Sequence, residues 1–350
     1  MERLPIETQT LYAELMERLT ATETHRSIGR ISGCFTTKTV KSESYYYFQY
    51  SDPGGITRQV YIGKKSLVLD KMVKQYLEER EEFKEDIGHI QRLCAQMRAG
   101  GMMITDMASS RIIKSFADSG VFALKGVLVG THAFTVLGNL LGVRWKGAGL
   151  KTNDIDIAGE SVVNIALPDI QTDIPKILEN LQMGFIPIPP LNLKDPSTSF
   201  RIRGKSLRVD FLTPVVKPTR TGAIYIPRFN VAAQPMRFLD YLIENPERGI
   251  VINGGGILVN VPAPGRFAFH KLIVTQERPL SMHGKADKDL IQAAQVFSVL
   301  IDERPGDLLL AWDEVKNRGK GWSKRIFQGI SNLERKHNDV SKRLKNLLRI

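Results

Sequence analysis

Two aspartates, Asp154 and Asp156, stand two residues apart in the run Thr152-Asn153-Asp154-Ile155-Asp156-Ile157-Ala158. Acid alternating with isoleucine is a strand pattern, and its period of two sends both carboxylates to one face and both isoleucines to the other. Neighbouring anions repel, so a strand that buries one face and keeps this pair on the other suits a divalent cation. A solvated edge strand with two exposed acids is the competing reading, and the pair alone leaves both open. Upstream, Lys125-Gly126-Val127-Leu128-Val129 reads as an apolar strand entering Gly130-Thr131, with a helix following to about Leu141. Glycine plus a hydroxyl at such a junction leaves backbone N–H groups free at a helix N-terminus, where phosphate can sit. Downstream, Arg203-Gly204-Lys205-Ser206 reads as a hairpin turn between Ser199–Arg203 and Leu207–Leu212. On the second strand Leu207, Val209 and Phe211 share one face, while Asp210 points with Arg208 to the other, which adds a third carboxylate.

This order of apolar strand, Gly-[Gly/Ser/Thr], helix, Asp-x-Asp strand and later Asp-bearing strand resembles the nucleotidyltransferase superfamily typified by DNA polymerase beta, over about Val121 to Asp210. The fuller stretches VLVGTHAF (127–134) and TNDIDIA (152–158) are similar to a bacterial, uncharacterised nucleotidyltransferase-fold family, and that likeness extends over most of the chain. Thr131 replaces the usual second residue of the glycine motif and keeps its hydroxyl. Arg144–Gly149 lengthens the gap between Gly130 and Asp154, which bears on the shape of the pocket mouth.

The resemblance implies Mg2+-dependent transfer of a nucleoside monophosphate from an NTP, such as ATP, to an acceptor hydroxyl. Two Mg2+ ions about 3.5–4 Å apart stabilise both ends of such an in-line displacement. By that likeness Asp154 and Asp156 ligate both ions. Asp210 ligates the ion on the nucleophile side and helps deprotonate the acceptor, and Gly130 and Thr131 hold the triphosphate. Mg2+ keeps several waters and leans on substrate phosphates, so the empty site is expected to bind metal weakly. Relatives also carry a lysine-bearing helix, then an Arg and a Lys-x-x-x-Asp run, here Lys271, Arg278 and Lys285 to Asp289. Lys271 lies in an otherwise apolar helix, so it is either a phosphate contact that helps bind the NTP or a side chain snorkelling at the core margin. His132 is read as a structural donor more readily than as a catalytic base.

At 350 residues the chain exceeds a typical single domain and suggests two or three units. Its 42 % apolar and 25 % charged content is that of a globular protein with ample core. No apolar run approaches the roughly 20 residues of a membrane span, so no membrane association is expected. Met1–Pro5 shows no secretion signal. Cys34 and Cys94 form neither a zinc box nor a disulfide framework, and a cytoplasmic setting is the expectation. The net charge is +12, and from Lys316 onward eleven Lys/Arg face only Glu334 and Asp339. Trp322 through Arg349 reads as one basic amphipathic helix, serving either RNA or DNA phosphates or simply packing its apolar side on the domain. The charge also suits the steering of NTP.

Three segments are expected. Residues 1–104 hold a helix (Glu7–Leu19), a hairpin (Ser44–Tyr50 and Ile56–Gly63 about a Pro-Gly turn) and a long helix from about Ser66 to Arg98. Tyrosines beside Arg58, Lys64 and Lys65 either stack on bases or fill the small sheet's own core. The long helix has a heptad-like seam from Leu69 to Met97 that includes Arg80. Packing within the chain is favoured, with a homodimer left open. Residues 105–222 form the catalytic core, entered by a helix at about Asp106–Ser119, with Pro187-Ile188-Pro189-Pro190 as a candidate for the pocket rim. Residues 223–350 form a mainly helical region with the basic tail, and Asn253-Gly254-Gly255-Gly256 reads as a hairpin turn. The fold class expected is α+β, a mixed sheet flanked by helices. An RNA end, such as that of tRNA, leads as acceptor on charge grounds. The alternatives are a nucleic-acid-binding protein that lost catalysis, a toxin or defence enzyme acting on RNA or protein, and a sugar-nucleotide glycosyltransferase, which leaves Gly130-Thr131 and Asp210 unexplained.

Overall fold

The structure is a computed structural model, and it describes residues 1–24, 33–51, 56–147, 152–161, 172–190, 192, 195–215, 222–278 and 283–350. The chain opens with β1 (Glu2–Arg3) and α1 (Ile6–Thr24), whose Leu15 is fully buried. Next come β2 (Cys34–Val40), β3 (Glu43–Ser51) and β4 (Thr57–Lys64), an antiparallel sheet with β3 in the middle. The expected hairpin is its second half, while its Pro-Gly turn lies outside the described residues. The first strand went unnoticed because Lys38 interrupts its β-branched run.

Ser66 caps α2 (Leu67–Ala99), its hydroxyl accepting from the Leu69 N–H at 3.3 Å. The helix uses its seam twice. Tyr76 meets Phe35 and Phe48 of the small sheet, with centroids 5.0 and 5.7 Å away. Ile90, Cys94 and Met97 are buried in a second cluster with Tyr12 and Leu15 of α1. Arg80 sits in the seam because its guanidinium bonds the Gly33 carbonyl and the Tyr76 hydroxyl. The helix therefore packs within its own chain.

Asp106 caps α3 (Met107–Asp118), accepting from the Ser109 N–H at 2.9 Å. The core then runs through β5 (Val127–Val129), α4 (Gly130–Leu140), β6 (Val143–Arg144), β7 (Asp154–Ala158), α5 (Ile174–Asn180), β8 (Phe185–Pro187), β9 (Ser199–Ile202), β10 (Arg208–Pro214), β11 (Ile224–Ile226) and β12 (Val231–Met236). The main sheet has the order β11-β12-β10-β7-β5, with the β8–β9 hairpin on the edge of β10. β10 runs parallel to β7 and β12, whereas β5 is antiparallel to β7, so the sheet is mixed and the class is α+β. Two of its strands, β11 and β12, come from beyond residue 222.

The remainder is α6 (Leu239–Ile243), the hairpin β13 (Glu247–Val251) and β14 (Ile257–Val261), then α7 (Pro264–Glu277), α8 (His283–Glu303), α9 (Pro305–Asn317), α10 (Lys320–Lys336) and α11 (Asn338–Leu348). The single basic helix expected from Trp322 to Arg349 is in fact two. The backbone leaves helical geometry at His337 (φ −137°, ψ 60°), and the second helix folds back. Folding back lets both apolar stripes reach the core: Ile326, Ile330, Leu333 and Leu344 are buried. The stripe's burial explains this segment's amphipathic pattern. Among the described residues no helix is long and apolar enough to cross a membrane.

Candidate active site

β7 and β10 lie side by side in parallel, in a register that pairs Asp156 with Asp210 and Asp154 with Arg208. Residues paired across adjacent strands share a face about 4.8 Å apart, so the carboxylates of Asp156 and Asp210 project together. Asp154 stands two residues along on that face. The opposite face is core: Ile155, Ile157, Val209 and Phe211 are all essentially inaccessible. Asp154, Asp156 and Asp210 line one cavity of about 610 Å³, together with Gly130, Thr131 and Lys271. All six sequence-derived site residues therefore meet, from four separate elements.

Gly130 has a reason to be glycine. Its φ is +69°, and a Cβ there would lie 2.2 Å from Asp156 Oδ2. That close approach sets the first turn of α4 beside the carboxylates. No side chain caps the helix, so its first N–H groups are left for a ligand. Phosphate suits such a terminus.

The acids are held under electrostatic stress. Burial, then the charges of Asp210 and Asp154, push the Asp156 carboxyl up to about 7. Arg208 offsets part of this: its Nε donates to Asp210 at 2.6 Å, and a second nitrogen donates to Ser199 Oγ at 3.1 Å. The sequence placed Arg208 beside Asp210 without assigning it this role. Among the described residues, no three His, Cys, Asp or Glu side chains stand close enough to grip an ion alone. The donor set nonetheless fits Mg2+: hard carboxylate oxygens crowded on one face, whose mutual repulsion a divalent cation would relieve.

Across the cavity, Lys271 is buried rather than snorkelling. Its Nζ lies 2.7 Å from Asp289 Oδ1, while Arg278 Nε lies 2.7 Å from Oδ2 of the same carboxylate. Burial alone would raise the Asp289 carboxyl, but the charges of Lys271 and Arg278 outweigh it and hold it low. Asp289 thus fixes two cations on the cavity wall, a role the Lys-x-x-x-Asp spacing did not reveal. Lys288 also lines the cavity. Burial and the charge of Lys271 hold it below the usual lysine range, against the pull of Asp289, Asp154 and Asp156.

Part of the cavity lining is apolar: Leu212, Met236, Phe238, Leu242 and Phe267. Phe238 is held at φ +66°, in the left-handed region, by Trp322 at 4.8 Å and the guanidinium groups of Arg237 and Arg325 at 5.0 and 5.1 Å. Nothing in the sequence flagged Phe238. Pro187-Ile188-Pro189-Pro190, the candidate rim, follows β8 at the sheet's edge and lines no part of this cavity; Pro235-Met236-Arg237 supply that wall. The hairpin's position beyond β9 explains the difference.

A second chamber of about 680 Å³ adjoins the first and shares Thr152, Asp154, Lys285 and Lys288 with it. His132 lines it, 5 % exposed, and among the described residues its Nε2 has no hydrogen-bond partner. Burial lowers its imidazole to about 4, with Asp106 opposing and Lys288 assisting, so the ring is neutral near pH 7.

A mixed sheet with a glycine-hydroxyl turn, an Asp-x-Asp strand and a facing Asp defines a nucleotidyl-transfer class of site. A model of the nucleotidyltransferase family matches residues 107–317, and the chain belongs to that family. Among solved structures, the chain is similar to an antigenic nucleotidyltransferase-like protein from Paracoccidioides brasiliensis, at 14 % identity and a TM-score of 0.36, over 69 % of this chain and 94 % of that one. No curated protein matches it.

Proposed function

We propose that this nucleotidyltransferase moves a nucleoside monophosphate from an NTP to an acceptor hydroxyl in a Mg2+-dependent reaction that releases pyrophosphate, with an RNA end as the acceptor. The observation that carries this is the in-register pair Asp156–Asp210, with Asp154, beside the uncapped N-terminus of α4. Asp154 and Asp156 would hold two Mg2+ ions between them, and Asp210 the one nearer the acceptor. When bound, the ions neutralise charge on the attacking and leaving oxygens. Asp210 also accepts the proton of the acceptor hydroxyl. The N–H groups of Gly130 and Thr131 and the Thr131 hydroxyl orient the triphosphate, and Lys271 and Arg278, steadied by Asp289, meet its charge. The apolar part of the lining, with Phe238, takes the base.

The net charge of +12 favours a polyanionic acceptor over a neutral small molecule. Incubation with each α-labelled NTP and total cellular RNA should place label on RNA. Replacing Asp156 with Asn should abolish it; undiminished transfer by that variant refutes the assignment.

A further inference from the structure

The outer face of the β2–β3–β4 sheet is built in rows. Reading across the strands, Lys38 pairs with Tyr45 and Tyr45 with Lys64; Thr36 pairs with Tyr47 and Tyr47 with Tyr61; Cys34 pairs with Gln49 and Gln49 with Gln59. One row thus presents two ammonium groups about a tyrosine, the next presents two aromatic rings and a hydroxyl, and the third adds two amides. The other face carries Phe35, Tyr46 and Phe48, which pack on one another and on Tyr76 of α2. The inner aromatics therefore make the small core, and the outer ones are surplus to it. Tyr61 is 55 % exposed. Its ring stands 5.5 Å from Tyr47 and 6.2 Å from Tyr45, and Lys38 Nζ lies 4.7 Å over Tyr47.

We infer that this face binds single-stranded nucleic acid. Unstacked bases find π-faces in the tyrosines, the backbone finds cations in the adjacent row, and amides and hydroxyls contact base or sugar edges. Charge supports a polyanion over a neutral or basic protein surface, since Lys38, Lys41, Arg58, Lys64 and Lys65 stand against Glu43 and Asp52 in this stretch, and the clustered rings favour bases over an acidic protein patch. Glu43 pairs with Lys64, whereas Lys38, whose Nζ donates to Gln59 Oε1 at 2.6 Å, has no acidic partner among the described residues and is set directly among the rings. The acidic run of α2, Glu78 to Asp86, belongs to the element that packs the opposite face. From Tyr76 to Met97, α2 spans about 30 Å, so the strand would be gripped well away from the carboxylates and presented to them by its end. The inference concerns a surface separate from the catalytic cavity and stands whether or not that cavity transfers nucleotides.

The test is fluorescence anisotropy with a fluorescein-labelled oligouridylate of about 20 nucleotides, long enough to cover a site of this kind. The full-length protein should bind it with a salt-dependent Kd. The pair Tyr47→Ala with Tyr61→Ala should weaken binding by roughly tenfold or more, while Tyr47→Phe with Tyr61→Phe should restore it, because stacking needs the ring and not the hydroxyl. Lys38→Gln should lower the slope of log K against log salt by about 0.7. Both tyrosines face outward, so unchanged thermal melting of the alanine variant checks that the module stays folded. Binding should persist unchanged in EDTA, which disables the metal-dependent cavity and so separates this surface from the active site. An oligothymidylate arm tells DNA from RNA, and a duplex of the same length should bind more weakly. Equal binding of duplex, no loss in the alanine pair, or no oligonucleotide binding by the wild type, as for a protein-docking face, would each overturn the inference.

Discussion

Asp210 faces Asp156 across a parallel strand pair, and the two anions are kept together by burial on one side and by Arg208 on the other. Such a pair is costly without a cation. The cost should be visible in the ligand-free protein. The Asp156 carboxyl is raised from 3.8 to about 7, so the folded state holds a proton that the unfolded chain releases. Its contribution to stability is complete below about pH 4 and is lost as pH climbs toward 7. Asp156→Asn should remove that dependence and raise the melting temperature at pH 7 by about 5 °C, on a scale of roughly 1.4 kcal/mol per pKa unit. Thermal melts of both proteins across pH 4 to 8 check this.

Gly130→Ala should damage the site more than the fold. The methyl would fall on Asp156 Oδ2, and the residue would be held at φ +69°. Backbone strain of this kind costs about 1–3 kcal/mol. Nucleotide binding, measured calorimetrically, should fall by well over tenfold, because the carboxylate and the first turn of α4 can no longer share the space.

Asp289→Ala should leave the buried Lys271 and the half-buried Arg278 without their counter-ion. Breaking a buried ion pair from one side costs about 3–5 kcal/mol. Denaturant unfolding should show that loss, and Lys271→Met in the same background should recover part of it. A recovery of zero would mean that the three charges are not one network.

His132 gives an acid-side signature. Its imidazole falls from 6.5 to about 4 on folding, so below about pH 6.5 the unfolded chain binds the proton first and stability declines toward pH 4. His132→Leu should show a smaller drop in melting temperature between those limits.

Much of this site was legible because its parts are local patterns. The Asp-Ile-Asp-Ile alternation fixes which face each side chain takes, and Val209 and Phe211 fix the same for Asp210. Hydrophobic burial then brings both strands into one sheet with their acids on one side. What was hidden depends on contacts between distant segments. Asp289 binds Lys271 eighteen positions away, and Phe238, which lines the cavity, packs against Trp322 from a distant helix. The break at His337 likewise has no glycine or proline to announce it; it follows from where the core lies. The outer tyrosines fall between these cases. Alternation separates Tyr45 and Tyr47 from Tyr46 and Phe48, but only the paired sheet shows which face meets α2.

The central claim is that three carboxylates and the N-terminus of α4 form one metal-dependent nucleotide site. Calorimetric titration of each NTP into the wild-type protein, with Mg2+ and then with EDTA, tests it most directly. Binding of at least one NTP that requires Mg2+, and that disappears in Asp154→Asn and Asp210→Asn, is the predicted result. Equal nucleotide affinity in EDTA, or unchanged affinity in both variants, would contradict it.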